Sequence, residues 1–211
     1  MRLFFSGSLG NVPTKRQESF KKAASDLGRE AARREHVPLL HSEKRSTIDY
    51  HVVAGLRNLA KHRRTKIEVE IHRGIRDEDV FRGIAELEIK HRPYRWVDDL
   101  VDKRLGARAG AVVAADAVVL MGGGRGTEMV GRLAADLGRP VIAIGAMGGA
   151  AEMVYIANEP CYLQHPDVSP LMRVLTSDWH QDSAGAVLDI CEILADKHSY
   201  FLSYAHKNVQ F

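Results

Sequence analysis

The sequence predicts an α/β protein built on a Rossmann-like, doubly wound and mainly parallel sheet flanked by helices. Three observations carry that expectation. Residues 117–121 (AVVLM) and 141–144 (VIAI) are short, unbroken apolar runs, and they read as strands buried on both faces. Between them, Met129, Val130, Leu133 and Leu137 recur at helical spacing over 128–137, and Gly138 with Arg139-Pro140 ends the helix. Each strand leaves through glycines: Gly122-Gly123-Gly124-Arg125-Gly126-Thr127 after the first, Gly145-Ala146-Met147-Gly148-Gly149 after the second. The product is a βαβ unit with a glycine loop at the carboxyl end of each strand.

The remaining elements fit around that unit. Residues 3–5 are a first strand, with 6–11 (SGSLGN) as its exit loop. Pro13 and Thr14 open a helix to about residue 35, with Phe20, Ala23, Ala24, Leu27 and Ala31 on one face. Residues 37–40 form a second strand. A polar loop, 41–46 (HSEKRS), leads to a Ser46 or Thr47 cap and a helix over 48–61. In residues 66–71, Ile67, Val69 and Ile71 alternate with charged neighbours, which places this strand near an edge with one wet face. A helix is expected over 77–89, although 86–89 also suits a strand. Residues 91–96 (HRPYRW) follow as a polar-aromatic loop, and a helix over 97–115 leads back to the glycine unit. Beyond it lie a helix over 150–158, an irregular connector over 159–169 containing Pro160 and Pro166, a helical turn over 171–175, and a helix over 184–197.

Glycine loops at strand ends suit anions. They let backbone N–H groups approach a ligand, and the helix that follows adds partial positive charge. In open α/β sheets, ligands sit beyond the carboxyl ends of the strands, where these loops lie. The candidate contacts are Ser6, Gly7 and Ser8; Gly122, Gly123, Gly124, Arg125, Gly126 and Thr127, with Glu128 in the helix's first turn; and Gly145, Met147, Gly148 and Gly149. Arg92, Arg104 and Arg108 are candidate charged contacts, the last two at i, i+4 spacing. The spacing matches neither the Walker loop nor G-x-G-x-x-G. At 41–46, Lys44 and Arg45 either meet an anion through side chains or belong to a solvated loop. Residues 91–96 either stack a base or pack a loop.

The pattern strand–GGGxGT–helix–strand–GxxGG resembles the SLOG superfamily, which groups Lonely Guy phosphoribohydrolases, Smf/DprA proteins and nucleotide sensors of prokaryotic conflict systems. Residues 3–8 (LFFSGS) are similar to the opening of the sensor branch that accompanies Sir2 and TIR effectors. The resemblance spans residues 1–160 and implies binding of an NAD-derived nucleotide, such as a cyclic ADP-ribose, with the loops at Gly7, Gly123 to Thr127 and Gly148 to Gly149 holding the pyrophosphate. It implies no tightly bound cofactor and no metal. In the Lonely Guy hydrolases an Arg and a Glu perform the hydrolysis; by motif these fall at Ala107 and Val130 here. Valine cannot stabilise an oxocarbenium-like centre. The resemblance thus implies binding without cleavage, with a Lonely Guy-type nucleoside 5′-monophosphate phosphoribohydrolase as the alternative.

Residues 199–208 (SYFLSYAHKN) are similar to the first strand and loop of a TIR domain, with Asn208 in place of the usual Asp. This implies a sensor domain (1–160), a helical connector (161–198) and the start of a truncated TIR domain (199–211). The implied role is control of an attached TIR effector through homo-oligomerisation in anti-phage defence. The bounds agree: 211 residues, 45% of them hydrophobic, suit one α/β domain with an appendage. Cys161 and Cys191 lack metal-ligand spacing, no run reaches membrane-spanning length, and the start lacks a signal-peptide core, so a cytoplasmic location is expected. A net charge of +3, without a concentrated basic face, does not make a nucleic-acid footprint.

Overall fold

A computed structural model describes residues 1–64, 66–74, 81, 83–94 and 103–207; for 73, 74, 93, 94, 103–105 and 197–207 the description covers the backbone alone. The strands are β1 (Arg2–Ser8), β2 (Val37–Leu40), β3 (Ile67–Gly74), β4 (Leu87–Tyr94), β5 (Ala117–Gly122) and β6 (Val141–Ile144). The helices are α1 (Gln17–Arg33), α2 (Ile48–Arg63), α3 (Lys103–Ala114), α4 (Arg125–Asp136), α5 (Gly149–Leu163), α6 (Arg173–Thr176) and α7 (Ser183–Lys207). The six strands run in the order β4-β3-β2-β1-β5-β6, and each pairing is parallel. The α/β, Rossmann-like class is therefore as expected.

The central strands explain the apolar runs. All of β5 and β6 is buried, as is β1 from Leu3 to Gly7. Helices cover both faces: α1 packs on α2 and α7, while α3 packs on α4 and α4 on α5. The α1–α2 crossing is close enough to exclude a methyl group. A Cβ on Gly28 would stand 2.3 Å from the Val52 carbonyl oxygen, and one on Gly55 would stand 1.9 Å from that of Ser25. Glycine is required at both positions because backbone meets backbone.

β3 lies near an edge, as expected, but the face expected to be wet is buried. β4 is terminal, and β3 sits inside it with Glu70 and His72 buried beside Val69 and Ile71. α3 covers β3, and Glu70 is paired with Arg2 at 3.1 Å and Arg92 at 3.4 Å. Alternation in sequence marked Glu70 as wet, but it is an ion-paired buried face. On the edge strand, Lys90 pairs with Glu68 at 2.6 Å.

Other boundaries also moved. Residues 83–86 form a turn rather than the end of a helix, and 87–94 form β4, whose Leu87 and Ile89 register with Ile67 and Val69. The expected helical residues 77–80 and 97–102 lie outside the described residues. α5 continues through Pro160 to Leu163, where an irregular connector was expected. Its last turn is fastened to the sheet, since the Tyr162 hydroxyl donates to the Val141 carbonyl at 2.5 Å and accepts from the Ala143 amide at 3.4 Å. Residues 199–207, expected to open a TIR domain as a strand and its following loop, continue α7. No glycine or proline interrupts 186–207, and a strand needs a paired neighbour.

α7 is held to α1 by charge. Arg34 reaches Glu30, Asp189, Glu192 and the Gly185 carbonyl, and His36 reaches Glu192 at 2.8 Å. The hydrogen-bonded Arg33 guanidinium is the leading cause that holds Glu30 down at about 2. Trp179 donates from Nε1 to Asp26 at 3.1 Å.

Two outcomes are expected. Gly55→Ala must push α1 from α2 and should cost roughly 1–3 kcal/mol in denaturant unfolding; an unchanged midpoint would remove the close-crossing argument. Burial lowers His72 from 6.5 to about 4, so it stays neutral in the folded state while the unfolded chain takes up a proton. Its contribution is thus complete above the unfolded value of 6.5 and is lost as pH falls toward about 4. The loss should reach up to about 3 kcal/mol, and His72→Gln should flatten that part of the unfolding-versus-pH curve.

Candidate functional site

The strand order fixes where a site can form. From β1 the chain winds outward through β2, β3 and β4, then returns to the other side of β1 as β5. The order reverses between β1 and β5, and their carboxyl ends border the crevice where ligands of open α/β sheets sit. The exits of β1, β5 and β6 meet there.

They meet at Gly123. Its amide donates to the Ser8 carbonyl at 2.8 Å, and its carbonyl accepts from the Ala150 amide at 3.0 Å and the Asn11 side chain at 3.3 Å. A Cβ on Gly149 would stand 2.6 Å from that carbonyl oxygen, and both glycines have positive φ, +76° at Gly123 and +65° at Gly149. Arg16 adds a hydrogen bond from its guanidinium to the Ala146 carbonyl. Because the peptide is planar and trans, a Gly123 carbonyl drawn inward turns the Gly124 N–H the opposite way.

The α4 terminus begins at once. The Thr127 and Glu128 amides turn back to the Gly124 carbonyl at 2.8 and 3.1 Å. The Arg125 and Gly126 amides then remain as the open donors of the first turn, at the positive end of the helix dipole. Thr127 is buried, with its hydroxyl against Gly123. Arg125 is exposed and forms no ion pair among the described residues. Glu128 pairs with Arg132 at 2.6 Å, outside the loop.

Arg108 reaches this turn from α3. A Cβ on Gly126 would stand 2.5 Å from its Nη1, so the guanidinium lies directly over the loop. Its Nε lies 3.4 Å from His41 Nε2. His41 follows β2 directly, and its amide donates to the Asp49 carboxylate at 3.0 Å. Sequence reading missed His41 and Asp49. The available signal was a histidine at a strand's carboxyl end with an aspartate in the first turn of the next helix, eight residues on.

Several candidate residues take other roles. Ser6, Gly7 and Ser8 are not a loop: they continue β1 in register with Leu120, Met121 and Gly122. A Cβ on Gly7 would stand 1.9 Å from the Met121 carbonyl oxygen, so this glycine serves strand approach. Ser6 is buried, and Ser8 gives its carbonyl to Gly123. Met147 is 1% exposed and belongs to the core. Gly145 packs on Tyr155, and Gly148 has a φ of +75° beside Pro13. Arg92 lies on β4, four strands from β5, or about 19 Å at ordinary strand spacing, and it is paired with Glu70. It does not join the glycine loops, and the polar-aromatic loop expected at 91–96 is strand through Tyr94. Arg104 is in the first turn of α3, with its side chain outside the described residues.

A polar cleft of about 420 Å³ opens away from these loops, between α1 and α7, lined by Arg29, Arg33, Arg34, Asp182 and Asp189 among others. Arg29, Arg33 and Arg34 are already ion-paired across or along the helices, which fits a helix clamp better than a ligand site. Among the described residues, no group of three His, Cys, Asp or Glu could hold a metal, and no helix is long and apolar enough to cross a membrane. Cys161 is exposed and Cys191 buried, both as free thiols.

No family model and no curated protein sequence matches the chain. Among solved structures it is similar to TM1055, a Northeast Structural Genomics Consortium target, with 18% identity and a TM-score of 0.54 over 74% of this chain and 80% of that one. It is also similar to the molybdenum cofactor carrier protein of Chlamydomonas reinhardtii, with 16% identity and a TM-score of 0.52 over 92% and 98% of the two chains. At these identities the likeness is one of fold.

Proposed function

We propose that the chain is a nucleotide-binding regulatory domain that holds the phosphates of an NAD-derived signal, such as a cyclic ADP-ribose, at the β1–β5 switch point. The observation that carries this reading is the convergence at Gly123. Three strand exits are tied to one another there, leaving the first-turn amides of α4 and the Arg108 guanidinium beside one crevice. Amides and a guanidinium in that arrangement suit a diphosphate, which offers acceptors on several sides. A nucleotide-like ligand also accords with the SLOG resemblance of the two glycine loops.

Val130 supports binding over hydrolysis. It stands where the hydrolytic branch carries its carboxylate, and it is 1% exposed in the core. The TIR-like residues 199–208 support a further step, in which ligand favours one assembly of a homo-oligomer and so controls an attached TIR effector in anti-phage defence. That step requires differential affinity of the ligand for the two assemblies. Its support is the sequence motif, because the backbone of 199–207 is helical.

Calorimetric titration with ADP-ribose, its cyclic isomers, NAD and AMP, with product analysis of each mixture, tests the reading. One NAD-derived species should bind and be recovered intact, and Arg108→Ala should weaken it by about tenfold or more. Release of adenine from AMP would replace the sensor with a Lonely Guy-type hydrolase. Capture of the molybdenum cofactor alone, the ligand in the algal neighbour's name, would replace it with a carrier.

A further inference from the structure

One buried titratable pair is left unused by recognition through amides and Arg108, and it sits a single guanidinium away from the glycine loop. The Asp49 side chain has no exposure, and that of His41 is 9% exposed. Asp49 Oδ1 accepts the His41 amide and stands 3.3 Å from His41 Nδ1, without the alignment of a hydrogen bond. Asp49 Oδ2 is buried with no hydrogen-bond partner among the described residues. A buried carboxylate half-satisfied in this way is costly and calls for a cation. On its other side the imidazole meets Arg108, whose Nε donates toward Nε2 at 3.4 Å. Accepting there places the ring proton on Nδ1, toward Asp49. The ring packs edge-on against Phe4, with centroids 5.5 Å apart.

We infer that His41 is a second, proton-activated cation of the phosphate site: a diphosphate draws Arg108 onto itself, Nε2 is freed, takes a proton from solvent and donates it in a hydrogen bond to the ligand, while Asp49 balances the imidazolium. The inference rests on the nucleotide-binding reading and deepens it. Among the described residues an Asp49 oxygen has no donor, and a His41 nitrogen is engaged by Arg108. Ligand capture frees that nitrogen, and the proton it takes up sets a cation beside the Asp49 carboxylate. Other charged groups around the ring do not replace it. Lys44 and Arg45, on the same loop, are exposed. His72 lies beside His41, one step past the Leu40–Ile71 pair, and burial holds it at about 4, so it stays neutral near pH 7. Glu70, the next acid along β3, is taken by Arg2 and Arg92. The side chain of Arg104, one turn before Arg108, is outside the described residues.

Ligand raises the proton affinity of His41, so binding is tightest below the free-state value, weakens by up to about tenfold per pH unit as pH rises from there, and levels off above the bound-state value. Titration of the full chain with ADP-ribose in buffers of different ionisation enthalpy reads the proton directly. Each phosphoryl group of this probe carries a single charge throughout the histidine range, so a proton taken up belongs to the protein. Uptake approaching one proton is expected for wild type, less for Asp49→Asn, and none for His41→Gln, whose affinity should also stop depending on pH. If a variant does not fold, the His41 ring resonance of wild type must still shift its titration upward on adding ADP-ribose. Binding without uptake, uptake that persists in His41→Gln, or an unmoved ring titration overturns the inference and leaves the nucleotide reading standing. Failure of ADP-ribose, its cyclic isomers, NAD and AMP to bind at any pH overturns both.

Discussion

The organisation of the carboxyl edge depends on one carbonyl, that of Gly123. It accepts from the first turn of α5 and from the β1 exit, and the neighbouring amide is fixed by Ser8. Three segments far apart in sequence are thereby held at a common depth. The geometry needs a left-handed residue at 123, where a side chain would meet Thr127, and another at 149, where it would meet the Gly123 backbone. A substitution there displaces two strand exits together, and with them the helix terminus that presents the open amides. The crevice is therefore stiff where the open amides border it.

The fold was legible because its centre is chemically simple. β5 and β6 are buried on both faces, and nothing but an apolar run can occupy such a strand. The periphery was less so. Glu70 and His72 carry the signature of a wet face, yet α3 and two arginines bury them, and no local pattern reveals a partner as distant in sequence as Arg2. Pro160 suggested a break, but Tyr162 holds the last turn of α5 on the sheet past it. The SYFLSYAHK segment has strand-forming residues and no sheet partner among the described residues, so helix hydrogen bonding continues through it.

The site was half legible for the same reason. Glycines announce positions where a side chain is forbidden, and the loops of β5 and β6 lie where they were expected. Glycine does not announce why it is needed: at Gly7 the cause is strand approach, and at Gly149 it is the Gly123 backbone. His41 and Asp49 went unseen because neither belongs to a motif. They come together only because β2 ends where α2 begins its first turn. Arg92 illustrates the converse, a residue with suitable chemistry placed strands away by topology.

The two rims of the sheet are closed to strand addition by different means. Along β6, Tyr162 occupies main-chain groups at Val141 and Ala143, and α6 packs alongside. Along β4, Pro93 removes a donor, while Lys90 and Arg92 place cations on the outermost strand. Among the described residues, both ends of the sheet thus carry features that disfavour its extension by a second copy. Association through helical faces would be made by side chains and could be released without breaking a backbone ladder. An assembly built that way can respond to a small molecule; a continuous sheet through many copies, bonded along its length, would not.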